Sequence, residues 1–276
     1  MNTMTSPHGW PIVSLTTDFG TDDHYVAAVK ATLLSRTPRL HIVDVTHHVP
    51  AHDVAAGAWI VLNAAPAFPA GTVHLAVVDP GVGTARRPIA VAAGGHLFVG
   101  PDNGLFSYVL ENDPAARVIA LTRVPAPASG VSPVFHGRDL FAPAAALLAE
   151  GASPDSLGDK VSDPVRLDLP RPLPAPGGAL RARVAHVDHF GNVVLYVTRA
   201  ALEAWLHGAP PAGLVARAGS ARVTRLVSTY GDAPAGEPVM IVNSSGFLEL
   251  GVNQGRAADL LGLRAGDPVD LQTETR

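Results

Sequence analysis

The stretch Ile12-Val13-Ser14-Leu15-Thr16-Thr17-Asp18-Phe19-Gly20-Thr21-Asp22-Asp23 decides the fold. Its first six residues are apolar or β-branched but for Ser14, long enough for one buried strand, and they run into a carboxylate and a glycine turn. A second stretch repeats the pattern, with a strand predicted over Thr72 to Val78 and then Asp79-Pro80-Gly81-Val82-Gly83-Thr84-Ala85-Arg86-Arg87. Between the two, the spacing predicts a helix over Asp22 to Leu34, a strand over Leu40 to Val45, and a helix over Asp53 to Ala64 with Asp53 as its cap. Strands alternating with helices from Pro11 to about Gly151 define an α/β layer. In such sheets ligands sit beyond the carboxyl ends of the strands, where Asp18 and Asp79 both stand.

Outward from that core, the 276 residues are 47% hydrophobic and 16% charged, a composition that buries a core. No apolar run of about 18 residues suits a bilayer, and Met1 to Trp10 has neither the basic nor the apolar region of a secretory leader, so the chain is expected in the cytoplasm, off the membrane. A net charge of -4 argues against nucleic acid as partner, and the absence of cysteine removes disulfides, thiolate metal sites and a cysteine nucleophile together. Prolines crowd the stretch Leu167-Asp168-Leu169-Pro170-Arg171-Pro172-Leu173-Pro174-Ala175-Pro176-Gly177-Gly178, which supports neither a helix nor a central strand. It divides an N-terminal α/β domain (9–166) from a C-terminal β-rich domain (180–276), with 167–179 as linker. Strands are expected beyond it at Leu180 to Val187, Val193 to Val197, Ala221 to Val227 and Pro238 to Val242, with one helix over Arg199 to Trp205.

Asp18 comes first after its apolar run, where a carboxylate could accept two hydrogen bonds from a ribose diol; a turn or cap role is the plain alternative. Asp79 and Arg86 flank a tight turn as either a structural ion pair or a reactive one. The glycines between them do not make a phosphate loop, because Gly-Lys-Ser/Thr is missing and a strand, Pro88 to Ala93, follows. His136 stands where Phe135-His136-Gly137-Arg138-Asp139 enters an Ala-rich helix, where its imidazole could face a pocket; a structural or solvated histidine is the plain alternative. His47, His48 and His52 have a proline-interrupted spacing that fits no helical ligand pair, so no metal site is read there. Val187-Asp188-His189-Phe190-Gly191-Asn192-Val193 and Asn243-Ser244-Ser245-Gly246-Phe247-Leu248-Glu249 read as hairpin turns, yet they offer hydrogen-bonding groups and an aromatic face suited to an amino acid and a purine.

Taken in order, Thr16-Thr17-Asp18-Phe19-Gly20, Asp79 to Thr84, Pro101-Asp102-Asn103-Gly104, Phe135 to Asp139, Phe190-Gly191-Asn192 and Asn243 to Gly246 resemble the S-adenosylmethionine (SAM) hydroxide adenosyltransferases and the related SAM-dependent fluorinases and chlorinases, from about Pro11 to Asp270. The resemblance implies an N-terminal α/β domain with a smaller C-terminal β-barrel-like domain. It also implies a homotrimer with active sites at subunit interfaces, SAM as substrate, and no separate cofactor or metal. By position, Asp18 matches a ribose-binding carboxylate, Phe190 and Asn192 match adenine contacts, and Asp188 and Ser244 match groups holding the methionine portion. Asp79, Arg86 and His136 match the set near the reacting carbon of hydrolytic members. Fluorinases have Tyr where Asp79 stands, a halide-contacting Ser where Gly137 stands, and an inserted loop not found here. Ser245 and His52 depart from the Arg and Trp of fluorinases. The implied reaction is attack of water or hydroxide at C5′ of SAM, giving adenosine and L-methionine. The alternatives are a chlorinase-like halogenase and a SAM- or adenosine-binding protein without turnover.

Overall fold

The computed structural model describes residues 9–208 and 213–274. The chain divides into two compact units, Met1–Asp168 and Leu169–Arg276.

The first unit is a seven-stranded mixed sheet built from β1 (Ile12–Thr17), β2 (His41–Thr46), β3 (Val73–Val77), β4 (Pro88–Ala93), β5 (His96–Pro101), β6 (Arg117–Leu121) and β7 (Gly158–Lys160), in the order β2-β1-β3-β5-β4-β6-β7. β1, β2, β3 and β5 are parallel, and β1 is buried from Val13 to Thr17, as a strand covered on both faces must be. β4 turns back on β5 through Gly94 and Gly95, both at positive φ, the conformation a two-residue hairpin demands. At Gly100 a Cβ would stand 2.3 Å from the Ala76 carbonyl oxygen, so that close approach requires glycine. Helices α1 (Tyr25–Arg36) and α4 (Ala142–Ala149) pack their buried residues, among them Val29, Leu33, Ala145 and Leu148, into one core with Val13, Leu15 and Leu75. Helix α2 (Val54–Ala64) begins at Asp53, whose side chain accepts a bond from the Ala56 N–H at 2.9 Å, and its Trp59 meets Tyr108 of α3 (Ser107–Asn112) at a ring separation of 5.7 Å. Helix α1 starts three residues later than its carboxylates suggest: Asp22 and Asp23 stay in the turn, and the helix begins at Tyr25, whose ring packs edge-on to Phe19.

In the second unit, β9 (Leu180–Val187), β10 (Val193–Thr198), β11 (Leu214–Ala218), β12 (Ala221–Val223), β13 (Pro238–Val242), β14 (Phe247–Val252) and β15 (Pro268–Thr273) pair antiparallel in a barrel-like sheet ordered β12-β11-β15-β9-β10-β14-β13. Leu195, Leu214, Met240, Leu248 and Leu271 fill its interior. Two short helices, α5 (Arg199–Trp205) and α6 (Ala257–Leu261), complete the unit, and Thr198 caps α5 by accepting from the Ala201 N–H. Within the proline-rich stretch, β8 (Leu173–Pro174) pairs with the start of β9, an edge position that tolerates Pro174. β12 ends at Val223, short of the expected Val227; from there the chain bridges to Met240, whose N–H donates to Arg225 O at 2.7 Å.

One buried polar pair in the first unit makes stability depend on acidity. His74 lies between the Ser14 hydroxyl (Nδ1 to Oγ, 2.7 Å) and His96 (Nε2 to Nδ1, 3.2 Å), stacked on Phe98. Burial, reinforced by His96, pulls its pKa down to about 3 from 6.5. The folded chain therefore keeps His74 neutral while the unfolded chain protonates it near 6.5. Its stabilisation is complete above the unfolded value and drains away as pH falls toward the folded one, by at most about 1.4 kcal/mol per pH unit. Denaturant unfolding at about pH 7.5 and about pH 5 should show a smaller loss for His74→Asn than for the natural chain. Equal losses would remove His74 as the cause.

Candidate functional site

The parallel register of β1 and β3 sets Thr17 opposite Val77, so the residues that follow each strand emerge side by side. Asp18 and Asp79 both line a cavity of 540 Å³. The chain after β2 is tied to the end of β1 by three bonds: Thr17 Oγ1 to His47 Nδ1 at 2.8 Å, Gly20 N–H to His47 O at 2.7 Å, and Val49 N–H to Thr17 O at 3.2 Å. That tie brings the His52 N–H within 2.9 Å of Asp18 Oδ2 and orients the carboxylate. One such bond leaves acceptor capacity on a group with about four lone-pair positions. The three histidines of the proline-interrupted segment are spread out: His47 bonds Thr17, His48 approaches Thr21, and only His52 lines the cavity.

After β3 the chain makes consecutive tight turns, Val82 N–H to Asp79 O at 3.2 Å and Thr84 N–H to Gly81 O at 3.1 Å, which fold Arg86 back onto Asp79. Gly83 sits at φ +78° under the Pro133 carbonyl, 2.7 Å from where a Cβ would be. Arg86 Nε donates to both Asp79 oxygens at 3.0 and 3.1 Å, and its Nη2 bonds Oδ2 as well. The side chains of this pair are only 9% and 5% exposed, which separates it from a surface ion pair. Arg86 Nη2 also lies 2.8 Å from His136 Nδ1, and the guanidinium carbon stands 5.1 Å from the Phe141 ring centre. A guanidinium only donates, so Nδ1 accepts and the neutral ring carries its proton on Nε2. Burial first, and then the charge of Arg86, holds His136 below the ordinary histidine pKa and keeps that neutral form.

His136 leads into a π-helical turn, Gly137–Phe141, a local widening often found where a helix serves a site. The turn buries Asp139, which accepts from Arg138 Nε at 2.6 Å and Nη2 at 2.9 Å and from the Ser132 N–H at 2.9 Å, fixing the segment that carries Phe135. Phe19, Tyr25 and Phe135 meet edge to face with ring separations of 5.4–6.2 Å and wall the cavity. Thus Asp18, Asp79 and His136 share one cavity, with Arg86 bonded to two of them.

The remaining predicted residues lie in the second unit. Asp188 Oδ1 accepts from the Asn192 N–H at 2.8 Å and Oδ2 from Asn192 Nδ2 at 2.9 Å, closing the turn between β9 and β10. Phe190, at the tip of that turn, is 72% exposed. Ser244 is exposed in the turn between β13 and β14. The structure adds Tyr230, which the sequence reading passed over, and gives a partner to Glu249, which closes the Asn243 to Glu249 segment without a role of its own in that reading: the Tyr230 hydroxyl accepts from Asn192 Nδ2 at 3.4 Å and donates to Glu249 Oε1. A glutamate inside the otherwise apolar Phe247-Leu248-Glu249-Leu250 was the available signal.

The fold, a mixed α/β unit followed by an antiparallel β unit, is similar to that of a crystallised conserved protein of Thermotoga maritima described as uncharacterized, which is 31% identical and superimposes with a TM-score of 0.86 over 94% of this chain and 99% of that one. The model of the SAM hydroxide adenosyltransferase N-terminal domain matches residues 13–158, and that of the C-terminal domain matches residues 182–270. This chain belongs to the SAM hydroxide adenosyltransferase family. It is 46% identical to the (R)-S-adenosyl-L-methionine hydrolase of Salinispora tropica, over 93% of this chain and 96% of that one. It is 30% identical to a fluorinase of an Actinoplanes species, over 94% and 96%.

Because the Asp79 and Arg86 side chains are almost wholly buried against each other, Arg86→Ala leaves a carboxylate in the protein without its cation. That change is expected to cost about 3–5 kcal/mol of unfolding free energy. Denaturant titration measures it, and a cost below about 1 kcal/mol would show a pair already solvated.

Proposed function

We propose that the chain hydrolyses SAM at C5′, releasing adenosine and L-methionine. The observation that carries this reading is the bonded set Asp79, Arg86 and His136 at a cavity that Asp18 also lines. Similarity to proteins named (R)-S-adenosyl-L-methionine hydrolase, at 43% and 46% identity, supports it.

The chemistry asks little of the leaving group. Methionine departs from a sulfonium as a neutral thioether and needs no proton. The nucleophile is the difficulty: water must lose a proton and approach C5′ in line, opposite the sulfur. Asp79 faces the cavity and accepts the water proton or orients the water by hydrogen bonding, while Arg86 fixes the carboxylate through two nitrogens. His136, with Nδ1 occupied by Arg86, has only its Nε2–H to offer, a donor suited to developing hydroxide. Asp18 accepts from the ribose hydroxyls, and the rings of Phe19, Tyr25 and Phe135 exclude bulk water. In this reading Phe190 and Asn192 hold the adenine, Asp188 and Ser244 hold the methionine portion, and no cofactor or metal takes part. Among the described residues no helix is long and apolar enough to cross a membrane. We place the protein in the cytoplasm as a homotrimer, which light scattering at about three times the 28.5 kDa chain mass would support.

Incubation with SAM in oxygen-18 water tests the reaction: adenosine should carry the heavy oxygen at its 5′ position. Unconsumed SAM, or a 5′-chloro-5′-deoxyadenosine product in chloride, would overturn the reading. Asp79→Asn should lose at least about 100-fold in kcat, the lower end of a general-base contribution; retention of more than about a tenth would exclude that role. The pH profile has a definite sign. Protonated His136 would set an N–H against the Arg86 N–H and place two cations together, so kcat should fall on the acid side, with its midpoint below the ordinary histidine value of 6.5. A His136-dependent midpoint at or above 6.5 would contradict the neutral form.

A further inference from the structure

Glu249 is 3% exposed, in a strand whose six residues are all buried. Both of its oxygens are occupied. Oε1 accepts from the Tyr230 hydroxyl, and Oε2 accepts from Asn243 Nδ2 at 3.0 Å. Each partner reaches a different substrate loop. The Tyr230 hydroxyl, held by Glu249, accepts from Asn192 Nδ2 at 3.4 Å, and that amide also donates to Asp188 Oδ2 at 2.9 Å. Asn243 Oδ1 accepts from the Ser245 and Phe247 N–H groups, each at 3.1 Å, and so shapes the turn that carries Ser244. The Tyr230 ring gains its place because residue 251 is glycine: a Cβ there would lie 2.7 Å from Tyr230 Cε1.

Donor and acceptor bookkeeping shows why the carboxylate is specific. With its hydrogen directed at Glu249, the Tyr230 hydroxyl presents lone pairs to Asn192, so the Asn192 amide must point its NH₂ at Tyr230 and Asp188 and turn its Oδ1 elsewhere. The Asn243 amide is likewise fixed with its NH₂ toward Glu249, since its oxygen is already taken by two N–H groups. Only an acceptor-only side chain at position 249 satisfies both neighbours. Burial and the nearby carboxylate charges push the Tyr230 hydroxyl upward in pKa, which keeps it a donor to Glu249.

We infer that Glu249 is a positioning residue for the second unit's share of the substrate site, acting through Tyr230 on the Asn192 amide and through Asn243 on the Ser244 turn. This rests on the SAM-binding reading proposed above. Gln at position 249 has one acceptor and one donor end, so it satisfies one neighbour and opposes the other. Tyr230→Phe keeps the ring against Gly251 and the Asn243 bond to Glu249 and removes the hydroxyl between Glu249 and Asn192, so denaturant unfolding of the variant is measured beside its kinetics to separate lost order at Asn192 from lost fold.

The test measures kcat and KM for SAM, calorimetric affinity for adenosine, and the Asn192 side-chain amide signal in asparagine-labelled protein, assigned with Asn192→Ala. Tyr230→Phe and Glu249→Gln should each raise KM and weaken adenosine about tenfold, with kcat within about twofold, because each loses a buried hydrogen bond and not a reacting group. The double variant should be less than additive on KM, and the Asn192 amide signal should broaden in both single variants. A loss confined to kcat, or affinities and Asn192 signal unchanged in Tyr230→Phe, would overturn the positioning role. Should the natural chain not consume SAM, the reaction fails on its own, while the Asn192 signal still decides whether Glu249 orders that amide.

Discussion

The parallel pairing of β1 with β3 is the constraint on which the site depends. Because Thr17 and Val77 stand opposite each other, two carboxylates emerge beyond the carboxyl ends of neighbouring strands and line one cavity. Like charges brought together in this way need a counter-charge, and Arg86 supplies it for Asp79 across the shortest available route, a run of tight turns. The ion pair is buried, so the same contact that steadies the fold also aims the carboxylate and fixes the tautomer of His136. A chain that lost Arg86 would lose geometry and protonation state together.

The second unit solves a different problem. A barrel-like antiparallel sheet is stabilised by apolar residues on its inside, here Leu195, Met240 and Leu248, and its turns are left to carry polar groups. Turns alone hold side chains loosely. Glu249 brings hydrogen-bond order from within the sheet to two of those turns, at the expense of burying a carboxylate whose every partner must be present.

Much of this was legible in the sequence. β1, β4, β9, β13 and α5 begin and end where the apolar runs and turn residues say they should, because nothing in the tertiary structure opposes the local pattern. Asp53 was legible as a cap for the same reason. The start of α1 was not, since Asp22 and Asp23 look like a first helical turn but the packing of Tyr25 decides where the helix begins. β12 stops early because Leu226 is drawn into a bridge with Met240, a pairing between segments distant in sequence. At the site, motif order drew attention to Asp18, Asp79, Arg86 and His136 as separate candidates. The bonds among the last three, and the direction of each, depend on how the turn after β3 meets the π-helical turn after His136. Tyr230 escaped notice because a lone tyrosine in Thr-Tyr-Gly-Asp reads as an ordinary loop residue.

Gly137 sets a limit on how far the chemistry of this cavity can drift. A Cβ at that position would come within 3.2 Å of Phe19 Cζ and 3.6 Å of Phe135 Cε2, so even the smallest side chain must push on the aromatic wall. A serine introduced there to receive a halide would arrive with its own steric demand, and Phe19, which also packs edge-on to Tyr25, would have to yield before the hydroxyl could point inward. Exchange of one nucleophile for another in this scaffold is thus also a repacking problem, in which a side chain at residue 137 and the ring at residue 19 must adjust to each other by a few tenths of an ångström.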